Sequence, residues 1–380
     1  MMEIPLSGPD IVEADIEAVT AVLRTARLSL GTKLEAFETA MARYTGVPHA
    51  VAVSSGTAAL HLSLLALGIG PGDEVIVPSF TFIAVANAVR YVGAQPVFAD
   101  IDAESLNVSP GSVEAAITPR TRALIVVHTF GRPADLAGLL SIAQRHDLRV
   151  VEDASEAIGA EVNGRRVGSF GDTGIFAFYP NKQITTGEGG IVVTGDAKIA
   201  QRIAALRNQG RYPSPPGSDP RTSWFDHAEL GYNYRIGEME CALGLSQLAR
   251  IDAILARREA IARRYCELLA GTPGLVLPAT GVPKQRLSWF VFVLRLAEDC
   301  GADARDRLMA SLAATGIATG RYFAPIHLQP AYAAWRESAY LPVTEAVASR
   351  SLALPFFNQM ADAQIVRVGR ELQAALRAQR

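Results

Sequence analysis

Three groups of residues in this 380-residue chain could act together on an aldehyde. Ser54-Ser55-Gly56-Thr57 follows an apolar run ending at Val53, where a strand would turn into a helix. Free backbone N–H groups, the positive end of a helix dipole and hydroxyls converge there, which suits a phosphate. Taken alone, the same residues read first as a helix cap. Asp153 ends the run Leu148-Arg149-Val150-Val151-Glu152, a buried-strand pattern that sets a carboxylate at the ligand edge of a sheet or at a helix N-cap. Lys182 lies 29 residues beyond Asp153, after Phe176-Ala177-Phe178-Tyr179-Pro180-Asn181 and before the turn-rich Thr185-Thr186-Gly187-Glu188-Gly189-Gly190. Burial among apolar residues favours a neutral amine, which can form a Schiff base, whereas a lysine without such a setting is a solvated surface residue. A phosphate cradle, a buried carboxylate and a nucleophilic lysine are the fittings pyridoxal 5′-phosphate needs.

Short apolar, β-branched runs supply a frame for these residues: Ala50 to Val53, Glu74 to Val77, Pro96 to Phe98, Ala123 to Val127, Leu148 to Val151, Gly174 to Phe178 and Gly190 to Val193. Between them, Thr57 to Leu67, Phe82 to Tyr91, Leu136 to His146 and Lys198 to Arg207 have the length of crossover helices. This alternation predicts an open, wound α/β sheet with ligands gathered outside the carboxyl ends of its strands. Tyr212 to Ser223 contains Pro213, Pro215, Pro216, Gly217 and Pro220 and reads as a surface loop that could serve as a lid. From Gly244 onward the pattern changes to a helix over Leu245 to Leu269, a strand over Trp289 to Leu296 and a helix over Ala304 to Thr315. The expected division is a large α/β domain over 1–244 and a small domain over 245–380.

Lys plus Arg number 36 and Asp plus Glu 38, a net charge of −2, which excludes a nucleic-acid coat or a polybasic membrane surface. Cys241, Cys266 and Cys300 form no Cys-x-x-Cys pair, so neither a disulfide framework nor a cysteine metal site is suggested. No segment approaches the ~18 apolar residues of a membrane span, and Met1-Met2-Glu3-Ile4-Pro5 does not begin a signal peptide. The expectation is a cytoplasmic protein with a small-molecule ligand. Gly68-Ile69-Gly70-Pro71-Gly72 lacks the Gly-x-Gly-x-x-Gly spacing and precedes a strand, which disfavours a nicotinamide dehydrogenase.

Six blocks, in order, resemble the DegT/DnrJ/EryC1/StrS aminotransferases: Ser55-Gly56-Thr57-Ala58-Ala59-Leu60, Gly72 to Phe82, Glu152-Asp153-Ala154, Asn181-Lys182 with Thr186-Gly187-Glu188-Gly189-Gly190, Gly231-Tyr232-Asn233-Tyr234-Arg235, and Pro325-Ile326-His327-Leu328-Gln329-Pro330. The resemblance implies a pyridoxal-phosphate enzyme of the aspartate-aminotransferase (type I) fold: a mostly parallel mixed sheet flanked by helices, followed by a smaller C-terminal α+β domain. It makes Lys182 the Schiff-base residue and proton shuttle, and pairs Asp153 with the pyridine nitrogen. Phe82 would stack on the ring, and Gly56, Thr57 and Ala58 would hold the phosphate. Asn233 would reach the phosphate of a neighbouring subunit, implying a homodimer with shared sites. Tyr179, Arg235 and His327 are candidate substrate contacts.

Three places depart from the family pattern, of which Glu240-Cys241, standing where Gln-Ala is common, has no mechanistic consequence. Ala177, five residues before the lysine, stands where serine is common and removes a hydroxyl from the expected phosphate site. Glu156 stands where Gln or His is usual, and its charge would disfavour the cofactor's phenolate unless it is protonated or paired. The implied reaction moves an amine from L-glutamate to a nucleotide-linked keto sugar, a 4-keto-6-deoxyhexose, giving a 4-amino sugar nucleotide. The alternatives are a 3-keto acceptor, a pyridoxamine-dependent sugar dehydratase, which replaces the lysine, and a silent protein on the same fold.

Overall fold

The seven apolar runs form strands β1 (His49–Val53), β2 (Glu74–Pro78), β3 (Gln95–Ala99), β4 (Thr121–Val127), β5 (Arg149–Asp153), β6 (Thr173–Ala177) and β7 (Gly190–Thr194). The computed structural model describes residues 3–212, 226–337 and 339–379, so all but Tyr212 of the expected lid loop lies outside the described residues. The strands make one sheet in the order β1-β7-β6-β5-β4-β2-β3. β7 runs against both its neighbours, and the remaining pairs are parallel.

Helices α1 (Glu13–Leu23) and α2 (Thr32–Thr45) precede this sheet, while α3 (Gly56–Ala66), α4 (Ala84–Tyr91), α5 (Pro110–Ala115), α6 (Leu136–Arg145) and α7 (Ala197–Leu206) follow β1, β2, β3, β4 and β7. Because successive strand side chains point to opposite faces, the central strands feed two cores. Ala52, Leu124, Val126, Val150 and Phe176 pack with Phe37 and Met41 of α2 and Leu139 of α6. Val53, Val75, Val77, Ile125, Val151 and Ile175 pack with Leu60 of α3, Val89 of α4 and Ile203 of α7. Burial on both faces explains why these strands read as continuous apolar runs rather than alternating ones.

The C-terminal part contains α8 (Glu238–Ala249), α9 (Ile251–Leu269), β8 (Leu275–Val276), β9 (Phe292–Leu296), α10 (Ala302–Ala314), α11 (Pro342–Arg350), β10 (Ser351–Leu354) and α12 (Asp362–Ala378). β8, β9 and β10 form an antiparallel sheet. Its core joins Tyr265, Phe292, Leu308, Leu352 and Val368, with Ile4 from the N-terminal segment packed among them.

Two sequence expectations change here. The long helix expected over Leu245 to Leu269 is two helices, broken at Arg250, whose guanidinium reaches the Asp10 carbonyl at 2.8 Å and Asp15 Oδ2 at 3.1 Å. The strand expected from Trp289 starts at Phe292, because the Trp289 and Phe290 carbonyls accept N–H bonds from buried Arg258 at 2.6 and 2.7 Å. Among the described residues, no helix is long and apolar enough to cross a membrane, and no group of three or more His, Cys, Asp or Glu could hold a metal ion.

Candidate active site

A cavity of about 620 Å³ opens beyond the carboxyl ends of β1, β2, β5 and β6, where an open parallel sheet gathers its ligands. Gly56, Thr57, Phe82, Asp153, Glu156, Tyr179 and Lys182 all line it. These residues span 126 positions of sequence, from Gly56 to Lys182, and the strand ends bring them together.

The N-terminus of α3 forms one wall. Ser55 caps the helix, its Oγ accepting the Ala58 N–H at 3.1 Å. The N–H groups of Gly56 and Thr57 start the helix without intrahelical acceptors and remain as donors. Glycine is required at 56 by close approach, since a Cβ there would sit 2.6 Å from Ala177 Cβ. Gly190 presses from the other side, where a Cβ would come within 2.4 Å of the Ser55 carbonyl oxygen. Ala58, expected among the phosphate residues, is buried, commits its N–H to the Ser55 cap and does not line the cavity.

Asp153 closes β5 and is 7% exposed. Its Oδ1 accepts the Ser155 N–H at 3.0 Å, and among the described residues nothing hydrogen-bonds Oδ2. The preceding Glu152 points the other way and serves the frame: it accepts backbone N–H groups of Gly168 at 2.8 Å and Gly171 at 2.6 Å and meets His128 Nε2 at 3.1 Å. One acid therefore faces the cavity while its neighbour ties down the loop that follows.

Lys182 closes a turn in which its N–H donates to the Tyr179 carbonyl at 2.9 Å. Its Nζ lies 3.6 Å from Glu156 Oε1 and 4.1 Å from the centre of the Phe290 ring, a cation–π contact. Glu156 Oε2 accepts the Phe130 N–H at 2.9 Å. Burial pushes the Glu156 carboxyl above the ordinary glutamate range; Lys182 and the Phe130 N–H pull it back, and the Asp153 charge adds to the rise. The glutamate that departs from the family pattern is thus both paired and inclined to hold a proton.

A buried carboxyl whose folded-state pKa is raised binds its proton more tightly in the folded protein than in the unfolded chain. Folding stability then falls as pH rises from the unfolded glutamate value through the folded one. Glu156→Gln removes that loss and can still accept from the Phe130 N–H. Melting profiles across pH should show the variant gaining on the wild type above pH 5, by about 2 °C or more. Parallel pH profiles for the two proteins would contradict this assignment.

The remaining expectations divide. Phe82 is 61% exposed and lies in the loop before α4, its ring on the cavity wall rather than in a helix core. Tyr179 also lines the cavity. Asn233 is exposed and outside its own chain's cavity. Arg235 donates to Asn208 Oδ1 at 3.0 Å and does not line the cavity. His327, expected near the site's mouth, is corrected to a packing role: it is 1% exposed, its Nδ1 is 2.7 Å from Ser79 Oγ and its Nε2 is 3.3 Å from Glu345.

Sequence reasoning missed Ser155, Phe290, Arg321, Tyr322 and Phe323, all in the cavity wall. Arg321 and Lys182 are the cations of that wall, against Asp153, Glu156 and Glu188, and Arg321 Nη2 is held by Asp306 at 2.8 Å. A helix-start donor pair, a buried acid and a lysine around one cavity fit the phosphate, ring nitrogen and aldehyde of pyridoxal 5′-phosphate.

The model of the DegT/DnrJ/EryC1/StrS aminotransferase family matches residues 9–373. A GDP-perosamine synthase of Caulobacter vibrioides is 42% identical over 341 residues, covering 90% of this chain and 89% of that one. A UDP-N-acetyl-3-dehydro-α-D-glucosamine 3-aminotransferase of Acidithiobacillus ferrooxidans is 40% identical, covering 95% and 93%. Among solved structures, S. venezuelae DesV in complex with a ketimine intermediate superposes with a TM-score of 0.85 at 41% identity, covering 95% and 93%. The PLP form of a putative sugar aminotransferase from Streptococcus pneumoniae gives 0.91 at 28% identity, covering 99% of each chain.

Proposed function

Because the chain belongs to the DegT/DnrJ/EryC1/StrS aminotransferase family, we propose that it moves an amino group from L-glutamate to a nucleotide-linked keto sugar. It is a pyridoxal-phosphate enzyme. The acceptor in this reading is a 4-keto-6-deoxyhexose and the product its 4-amino derivative. The observation that carries the reading is the convergence of Lys182, Asp153 and the start of α3 on one cavity.

When bound, pyridoxal 5′-phosphate supplies an aldehyde that captures amines and a pyridinium ring that accepts electrons. The protein's part is to hold it and to move protons. The Gly56 and Thr57 N–H groups bind the phosphate at the positive end of α3. Asp153 would hold a proton on the ring nitrogen through its carboxylate, whose orientation the Ser155 N–H fixes. Phe82, on the cavity wall, would cover one ring face. Lys182 would hold the aldehyde through Nζ, and the same amine, when free, would take up and return protons at that atom. Glu156, 3.6 Å from that atom, is placed to neutralise the ammonium whenever it forms. Phe290, Tyr322 and Phe323 shield the same atoms from water.

An exposed Asn233 outside its own cavity is consistent with a homodimer in which each subunit completes its partner's phosphate site. The dehydratase reading needs another residue in place of the lysine, and Lys182 lines the cavity.

Glutamate brings two carboxylates into a wall with more acids than bases, and covalent engagement of Lys182 leaves Arg321 as its cation. Arg321→Ala should raise KM for glutamate about tenfold or more, the size of one lost charge-assisted hydrogen bond, with a smaller change in kcat. An unchanged KM would remove Arg321 from the donor site.

The substrate reading is tested by incubating the enzyme with glutamate and a panel of keto-sugar nucleotides, reading product mass and sugar configuration by NMR. A 4-amino product is expected. The second reading, a 3-keto acceptor, is favoured by the relative named for a 3-aminotransferase, at 40% identity against 42% for the perosamine synthase, and a 3-amino product would establish it.

A further inference from the structure

A phosphate dianion at a helix start is held by backbone N–H groups together with hydroxyl donors aimed at the same point. Three side chains could supply hydroxyls here. Ser55 spends its Oγ on the Ala58 N–H. Thr57 lines the cavity. Residue 177, pressed against Gly56 at the end of β6, is alanine and offers only a methyl.

Ser155 occupies the adjoining space. Its Oγ lies 3.6 Å from where a Gly56 Cβ would stand, beside the 2.6 Å approach of Ala177 Cβ to the same point. The residue lines the cavity, and among the described residues its hydrogen bond is the backbone one, with none to Oγ. Its backbone is fixed, the N–H donating to Asp153 Oδ1 at 3.0 Å. An uncommitted hydroxyl on a pinned backbone therefore stands next to the first helical N–H groups, on the side where residue 177 cannot donate.

We propose that Ser155 is a phosphate ligand of the cofactor, its Oγ–H donating to a phosphate oxygen in place of the hydroxyl missing at position 177. The inference rests on the pyridoxal-phosphate reading and adds a binding residue to it. It couples the two ends of the cofactor site, because the Asp153 carboxylate that serves the ring nitrogen also orients the serine that serves the phosphate.

The test compares apoprotein of the wild type, Ser155→Ala and the double variant Ser155→Ala/Ala177→Ser. Each is titrated with pyridoxal 5′-phosphate and, separately, with pyridoxal, following absorbance and intrinsic fluorescence quenching. Ser155→Ala should weaken pyridoxal 5′-phosphate binding about tenfold or more while leaving the pyridoxal dissociation constant within about twofold, since only the former carries the phosphate. The double variant should recover most of the loss. A Ser155→Ala protein that binds pyridoxal 5′-phosphate as the wild type does, or that loses both ligands equally, overturns the assignment. Wild-type apoprotein that takes up no pyridoxal 5′-phosphate overturns the cofactor reading along with it.

Discussion

Lys182→Ala is expected to lower turnover with glutamate and keto-sugar nucleotide by about 10³-fold or more, while the variant folds and melts close to the wild type. The size follows from the two roles proposed for Nζ, nucleophile for the aldehyde and carrier of protons during the amino transfer. Positioned acid–base groups alone contribute about 10²–10⁴. The fold survives because the side chain's contacts are Glu156 and the Phe290 ring. Removing the ammonium takes away one of the influences that lower the already raised Glu156 pKa, so the carboxyl is pushed further toward holding its proton. Steady-state rates and thermal melts of the purified variant check both halves. A variant within tenfold of wild-type turnover would exclude the catalytic role.

Asp153→Asn is the second large effect, with kcat expected to fall about 10²–10³-fold. The amide keeps the carboxylate's shape, and its Oδ1 can still accept the Ser155 N–H that holds the turn after β5. What it loses is the negative charge proposed to keep a proton on the cofactor's ring nitrogen. A second consequence separates this from a structural role. The Asp153 charge is one cause of the raised Glu156 pKa, so the variant's Glu156 should titrate at lower pH than in the wild type, and the pH profile of residual activity should shift with it. Equal kcat, or loss of activity together with a collapse in melting temperature, would contradict the assignment.

The sheet was legible because its central strands are buried on both faces: Ala123 to Val127 and Gly190 to Val193 are unbroken apolar runs with helix-length spacers between runs. The N-terminal helices were not picked out. α1 buries only Asp15 and Val22, too little to make a stripe, although α2 buries Leu34, Phe37 and Met41 at helical spacing, a signal that was present. The break at Arg250 depends on Asp10 and Asp15, some 240 and 235 positions away, and no local pattern announces it.

The site divides in the same way. Asp153 sits at a strand end and Gly56 and Lys182 within five residues past one, where topology alone predicts ligand contacts. Ser155 is also local, two residues past Asp153, and a count of hydroxyls against the alanine at 177 could have found it. Phe290, Arg321, Tyr322 and Phe323 come from two C-terminal segments folded over the sheet edge, and nothing in their own sequence marks a cavity wall. His327 shows the converse. Its motif suggested a ligand contact, yet both ring nitrogens have protein partners, Ser79 and Glu345, as the imidazole of a buried histidine requires.

The covalent role of Lys182 is tested most directly by reducing the wild-type holoenzyme with borohydride, digesting it and mapping the pyridoxyl mass by tandem mass spectrometry. The modification should fall on Lys182, and glutamate added before reduction should diminish it as the lysine is displaced. A pyridoxyl group on Lys33, Lys198 or Lys284, or a holoenzyme that carries none, would contradict the account.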